Sequence, residues 1–436
     1  MTVMTRPAPS GRLRIAAGRT PGQLFLALVA VAAMVLLSGI VVAVAAGQRS
    51  TLADEVATED GPAADRALRL YRALSDADAT VAAAFLATGV EPPALRTRYD
   101  DDIATASAAL RRAAADGGGG PQVEVLTAQL PVYTGLVEKA RAYQRQQLPL
   151  GAAYLREASG LMRDTLLPAA FELSRERRAE LGADRSAAGA TQEWGLIVLV
   201  VTLGLLLFVQ RRLFRRTNRV FNRGLVAATL AVLLTGGLLV GGDIAASGDL
   251  SASHARGSFP GSVLAQAQVV ALQARADEAL ALVARGSGQE FEKDYNSRMA
   301  ELVGEDGKSG LLGRAAPVLA AADRSSADGR VLADAARAAR DWWEAHRRMR
   351  AAEDEGDYAQ AVRLAVGTDP GTATEHFTRL DEMLGQLLEN AQRRFGREAA
   401  GADVPWRFVA VGAMLLALLG AAGAAAGLQQ RIGEYR

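Results

Sequence analysis

The sequence contains no cysteine and only three histidines, His254, His346 and His376. The absence of cysteine excludes a disulfide, a thiol nucleophile and a cysteine metal site. The three histidines lie too far apart in the sequence to form a metal-ligand motif. Phosphate-binding glycine loops, HExxH zinc motifs and serine-nucleophile motifs are missing as well. We therefore predict that the protein is not an enzyme and holds no metal or cofactor.

Aromatic residues are also scarce, at 5% of the sequence, although half of all residues are apolar. The apolar content includes much alanine, which favours helix over strand. Apolar residues recur at steps of three and four in 154–181 and again in 372–400, the spacing of one helix face. The sequence therefore predicts an all-α fold.

Charged residues are nearly absent from four long apolar segments, where only Arg407 stands at an edge. Two of the segments exceed the roughly 20 residues that cross a bilayer, and flanking residues extend the two shorter ones. We predict an integral membrane protein with four transmembrane helices, at 24–46, 194–209, 225–242 and 406–428.

The charges outside these segments are sorted by sign. The short segments 1–23, 210–224 and 429–436 contain twelve arginines and one glutamate, whereas 47–193 and 243–405 carry more acidic than basic residues. Basic residues collect on the cytoplasmic side of membrane helices. We expect a multi-pass protein of the plasma membrane with both termini and the 210–224 hairpin in the cytoplasm.

The first apolar segment has a second interpretation. Its basic start and the small-residue triplet Ala43-Val44-Ala45 are also features of a cleaved signal peptide. The apolar run is longer than the usual h-region of about 7–15 residues. A membrane span is therefore the favoured interpretation.

The two long acidic segments are built alike. Glycine and proline breakers divide each into about four helices, which predicts two extracytoplasmic four-helix bundles in tandem, with the outermost helices running on into the spans. Asp78 stands eleven residues before Gly89, as Asp277 stands eleven before Gly288. Chance similarity between alanine-rich helices is the alternative, but matching length and order favour a duplication.

The hairpin between the second and third spans is the most basic stretch. Membrane topology and contact with anionic lipid explain its charge, and the hairpin is also a candidate docking site for a cytoplasmic partner. Its arginines are Arg211, Arg212, Arg215, Arg216, Arg219 and Arg223.

A second candidate contact site lies in the second outer segment, at Trp342, Trp343, His346 and Arg347. Adjacent tryptophans on a helix face different directions, so one can lie in the core and the other outside. Exposed tryptophan beside arginine is typical of a protein contact surface. Packing of both tryptophans between helices is the alternative and is slightly favoured.

Small residues recur four apart in the spans, as in Gly39-x3-Ala43, Gly237-x3-Gly241 and Gly423-x3-Gly427. This spacing lets helix backbones approach closely in lipid. It indicates a packed four-span bundle or a homodimer.

This architecture restricts the class of function. A transporter needs polar groups within its spans, and a chemoreceptor carries its own output domain, whereas the predicted cytoplasmic segments are too short to fold. Nothing in the sequence indicates a nucleic-acid partner. If the protein signals, another protein must bind its cytoplasmic face.

The four-span layout and three stretches, at 155–170, 210–230 and 342–367, resemble the GlnX-type membrane proteins of actinobacteria. The resemblance implies a sensor that works with a GlnH-type amino-acid-binding lipoprotein outside the cell. It also implies that aspartate or glutamate availability is relayed to a PknG-type Ser/Thr kinase inside. A receptor that binds a small ligand directly and a non-signalling scaffold of the cell envelope are the alternatives.

Overall fold

The computed structural model describes residues 20–55, 61–87, 91–115, 120–217, 223–253, 259–306, 309–322, 327–399 and 404–433. All regular secondary structure in these residues is helical, which confirms the predicted all-α fold. Fourteen α-helices are described. They are α1 Thr20–Glu55, α2 Gly61–Leu86, α3 Pro93–Ala115, α4 Pro121–Arg145, α5 Leu150–Leu161, α6 Leu167–Thr217, α7 Arg223–Ser253, α8 Phe259–Val283, α9 Gln289–Val303, α10 Leu311–Ala322, α11 Ala327–Asp354, α12 Tyr358–Val366, α13 Ala373–Ala399 and α14 Val404–Gly433.

Four of these helices are long and apolar enough to cross a bilayer, as predicted. The candidate spans lie in α1, α6, α7 and α14, at Val29–Thr51, Trp194–Arg212, Arg223–Gly242 and Trp406–Ala426. The chain divides into two compact units, one that contains the spans and one that contains residues 56–182 and 251–398. We call the second one the outer unit.

Within the span unit, glycines bring helix backbones close together. A Cβ atom on Gly39 of α1 would stand 2.1 Å from the Cβ of Ala417 in α14, and one on Gly423 would stand 3.3 Å from the Cβ of Ala227 in α7. The Arg49 guanidinium lies over the Trp406 ring, 4.4 Å from its centroid. Two of the predicted glycine motifs thus pack spans against each other in one chain.

The outer unit has two hydrophobic cores. One lies among α2, α3, α4, α5 and the start of α6, and the other lies among α8, α9, α10, α11 and α13. α2 and α8 pack against each other, and the first core also takes in residues of the second segment, including Leu280, Met349 and Val362. The two segments therefore form two helical cores within one compact unit.

The second segment has six described helices rather than the predicted four. Gly304 ends α9 with a φ of 86°, and a Cβ atom there would stand 2.6 Å from Ser309 Oγ. Only glycine takes up this left-handed conformation without strain. The outermost helices of each segment are expected to run on into the spans. α6 does so, as one helix from Leu167 to Thr217.

We expect Gly39→Ala to destabilise the span unit by about 1–3 kcal/mol, because the new methyl group would overlap Ala417. Gly47→Ala on the same helix is the matched control, since no neighbouring atom lies within 4 Å of the position that its new methyl group would take. Thermal unfolding of the full chain in detergent micelles measures both variants. Equal melting temperatures would contradict the close packing of α1 against α14.

Candidate functional site: buried charges where the outer segments meet

Four deeply buried charged groups of the outer unit lie on its two central helices. α2 and α8 pack against their own bundles and against each other, so most of their side chains are buried on every face. Even so, Asp78 of α2 and Arg275, Asp277 and Glu278 of α8 are at most 5% exposed. A buried charge is stable only when it is paired or neutralised. Each of these buried groups therefore forms a set with the side chains that pair with it.

Asp277 lies at the centre of the first set. Its carboxylate forms ion pairs with Arg163 of the first segment, at 2.5 Å, and with Arg298 of α9. Asp294 lies 3.9 Å from both guanidinium groups. Burial raises the pKa of Asp277 to about 7, and the two arginines oppose this shift. An ion pair between the two segments thus depends on a carboxyl group that titrates near neutral pH.

Arg163 reaches Asp277 from an unusual turn. Residues Met162–Leu166, between α5 and α6, form a π-helical turn. The buried residues Ala158, Met162, Leu166 and Ala170 stand four apart, and three such steps would carry a regular α-helix about 120° off its face. The wider π turn absorbs this drift and keeps all four in the core. It also places Arg163 5.0 Å from the centroid of the Phe291 ring.

Asp78, which stands at the same distance from a glycine as Asp277 does, has different partners. It accepts hydrogen bonds from the Ser159 hydroxyl at 2.7 Å and from the Tyr133 hydroxyl at 3.5 Å. Burial raises the pKa of Asp78, and the nearby charge of Arg163 opposes the rise. The two carboxyl groups therefore share the charges of two arginines, Arg163 from the first segment and Arg298 from the second.

Arg98 of α3 forms a second link between the segments. Its guanidinium donates to Asp76 of α2 at 3.0 Å and to Asp381 of α13 at 3.0 Å. Gln268 of α8 also donates to Asp381, at 2.7 Å. Burial, and then the charge of Asp76, raise the pKa of the adjacent Asp102 to about 8, so that this carboxyl group is largely protonated at neutral pH.

The third set fills the second core. The His346 ring lies between the carboxylates of Glu278 and Glu292, at 3.1 Å from each. The Trp342 indole N–H also donates to Glu278, at 3.2 Å, and the Tyr295 ring stacks on His346 at a centroid distance of 3.6 Å. This set joins α8, α9 and α11.

The predicted partner-contact residues of α11 are divided between core and surface. Trp342 and His346 are at most 1% exposed, so the prediction of a contact surface is corrected for both. Their N–H groups are held inside by Glu278, which explains why they face the core. Trp343 is half-buried and Arg347 is exposed. A partner contact at these two residues stays a prediction.

The basic hairpin lies largely beyond what the structure describes. The side chains of Arg211, Arg212 and Arg215 are exposed on α6, and that of Arg223 is exposed on α7. The side chain of Arg216 and the whole of Arg219 lie outside the described residues. The proposed docking role of these arginines stays a prediction.

A small cavity lies in the described part of the outer unit, between α2, α3 and α6. Its volume is about 10 Å³, and it is lined by alanine, leucine, Arg66 and Arg177. This volume is close to the lower limit for one water molecule. Among the described residues, no group of three or more histidine, aspartate or glutamate side chains could hold a metal ion. None of the four buried charges of α2 and α8 lines this cavity; they connect helices.

Comparison with known proteins gives one match. Residues 52–186 match the family model of the actinobacterial sensor domain. This segment contains α2 to α5 and the beginning of α6, including Asp78, Arg98 and Arg163. No curated protein and no solved structure matches the chain. The match supports a sensing role for a protein of actinobacterial type.

Sequence reasoning noticed Asp78 and Asp277 as equivalent positions but missed their partners. Arg163, Arg298 and Asp381 resemble the charged surface residues around them in the sequence. A usable signal is present in α8, where Arg275, Asp277 and Glu278 are the only charged residues in a helix that otherwise contains apolar or small residues and three glutamines. A helix of that kind is expected to be buried, so its charges need partners.

We expect Arg163→Ala to destabilise the outer unit by about 1–3 kcal/mol, because the buried carboxyl group of Asp277 loses its partner across the segments but keeps Arg298. Arg347→Ala is the matched control; its guanidinium is exposed and pairs within its own helix, so we expect a change of less than about 0.5 kcal/mol. Urea unfolding of the full chain in detergent micelles, followed by tryptophan fluorescence, measures both. Equal stability of the two variants would mean that the ion pair does not hold the segments together.

Proposed function

We propose that the protein is a non-enzymatic transmembrane sensor for extracytoplasmic amino acids. In this proposal the outer unit faces the outside of the cell, and the termini and the basic hairpin face the cytoplasm. A solute-binding lipoprotein loaded with aspartate or glutamate docks on the outer unit. The signal passes through the spans to a cytoplasmic partner such as a Ser/Thr kinase, which binds the hairpin.

The observation that carries the proposal is the single helix α6. Residues 167–186 of this helix belong to the segment that matches the sensor domain, and residues Trp194–Arg212 of the same helix form the second candidate span. A continuous helix transmits rotation or sliding along its length. The exposed Arg211, Arg212 and Arg215 follow at its end, so a movement of the sensor domain would change how the hairpin is presented inside.

The cavity between α2, α3 and α6 is too small to bind an amino acid, so it gives no support to direct reception at that place. A cavity of about 10 Å³ does not admit an amino acid, whereas ligand pockets typically measure about 300–1,000 Å³. Trp343 and Arg347 lie close together on α11 and are our candidates for the lipoprotein contact.

Calorimetric titration of the full chain in lipid nanodiscs tests this relay. We expect no heat of binding with aspartate, glutamate or glutamine alone, and measurable heat with the lipoprotein loaded with its amino acid. Heat with a free amino acid would establish direct reception and contradict the relay. The unloaded lipoprotein is the control for ligand dependence.

Insertions in α6 test transmission. Two residues inserted after Ser186 turn the following span by about 200° relative to the sensor domain, whereas four residues turn it by only about 40°. We expect the two-residue insertion to abolish ligand-dependent binding of the cytoplasmic partner and the four-residue insertion to retain most of it. Binding of the loaded lipoprotein outside should survive in both variants. Equal signalling by the two insertions would contradict rotational coupling through α6.

A further inference from the structure

The contacts of His346 determine its protonation state. Its Nδ1 lies 3.1 Å from Glu278 Oε1, and its Nε2 lies 3.1 Å from Glu292 Oε2. A neutral imidazole has one N–H donor and one lone pair, whereas the imidazolium has two donors. With carboxylate oxygens facing both nitrogens, the neutral ring would place a lone pair against an anion. The geometry therefore favours the imidazolium.

The groups around the ring keep both glutamates ionised. Glu278 of α8 pairs with Arg275 and accepts the Trp342 indole N–H at 3.2 Å. Glu292 of α9 accepts from the Asn296 amide at 2.8 Å and lies 3.4 Å from Arg350 of α11.

Two further features favour a charged ring. The Tyr295 ring stacks on His346 with an interplanar angle of 19°, which suits a cation. Arg350 also pairs with Glu353 and Asp354, so that two arginines, Arg275 and Arg350, face four carboxylates around the ring. This excess of negative charge favours the proton on His346. From α13, Thr374 accepts a hydrogen bond from Arg275 at 2.9 Å.

We propose that His346 forms a proton-dependent link that holds α8, α9 and α11 together in the second core. Packing of the outer unit then responds to the external pH. The proton is shared between a residue of α11 and carboxylates of two other helices. When it leaves, the imidazole keeps one N–H and can no longer bridge Glu278 and Glu292. Glu278 then keeps Arg275, and Glu292 of α9 keeps Arg350 of α11 as its charged contact. This inference does not depend on the proposed amino-acid sensing.

The direction of the response follows from the pKa of His346. Burial lowers this pKa, but the hydrogen bonds and charges of Glu278 and Glu292 outweigh burial and leave it raised. A group with a raised pKa in the folded state gives its full stabilisation below its unfolded pKa, and loses it as the pH rises through the folded value. The proton-dependent link is therefore complete below the ordinary histidine pKa of about 6.5, and it is lost as the pH rises through the higher pKa of the folded protein.

Nitrogen NMR of the full chain in lipid nanodiscs, with ¹⁵N-labelled histidine, measures this protonation directly. His346→Gln assigns the signal, and His376→Gln, at a position outside the set, is the matched control. We expect a doubly protonated ring, absent only from His346→Gln, that persists above the ordinary histidine pKa of about 6.5. A His346 ring that is already mostly neutral at about pH 6.5 would overturn the proposal.

Hydrogen exchange then tests whether the proton holds α9. After correction for the intrinsic exchange rate, we expect backbone protection of Gln289–Val303 to fall in the pH range where His346 loses its proton. Protection that stays constant through that titration would contradict the proposed link between the helices, even if the imidazolium is present.

Glu292→Gln covers the case in which His346→Gln fails to fold, because the Glu292 side chain is 25% exposed and tolerates replacement better. This variant keeps the shape of the side chain but removes one anion from the ring. We expect His346 to lose its proton at a lower pH than in the unmodified chain. An unchanged titration would show that the carboxylates do not control the proton, and the proposal would be wrong.

Discussion

The burial of α2 and α8 on all sides is the constraint on which the outer unit depends. Helices in that position can carry charge only if other helices supply partners. The partners come from both segments: Arg163 for Asp277, and Arg98 for Asp76 and Asp381. As a consequence, the two halves are joined by ion pairs as well as by apolar packing, and neither core is independent of the other segment.

These ion pairs are poor sources of stability but good sources of geometric restraint. Taking a carboxylate out of water costs nearly as much as its ion pair returns, whereas loss of one partner is costly. An arrangement of this kind favours one register of the helices over its neighbours. The π turn at Met162–Leu166 serves the same end, because it keeps one face of the chain in the core while it delivers Arg163 to the other segment.

The position of the π turn matters because α6 follows it directly and continues to Thr217. The helix that starts at the π turn leaves the region matched by the sensor family and becomes a candidate span. One continuous helix thus contains part of the matched segment and a candidate span. This organisation is consistent with a sensing role and with the shortness of the predicted cytoplasmic segments.

The sequence by itself determined the class of fold and the number of spans. Length and polarity decide membrane insertion, and both are local properties that neighbouring helices do not alter. The stripes at 154–181 and 372–400 likewise identified helix faces, because helical periodicity is local. Equal spacing also singled out Asp78 and Asp277 before any contact was known.

Only the tertiary structure decided which charges are paired and which side chains of α11 are buried. Asp277 and Arg163 are far apart in the chain, and nothing local to either distinguishes it from a solvated surface residue. Trp342 and Trp343 are neighbours in sequence, yet Glu278 and the Tyr295 ring select the first for the core. Partner choice depends on helix register and on the loss of water around each group, and these exist only when the helices have packed.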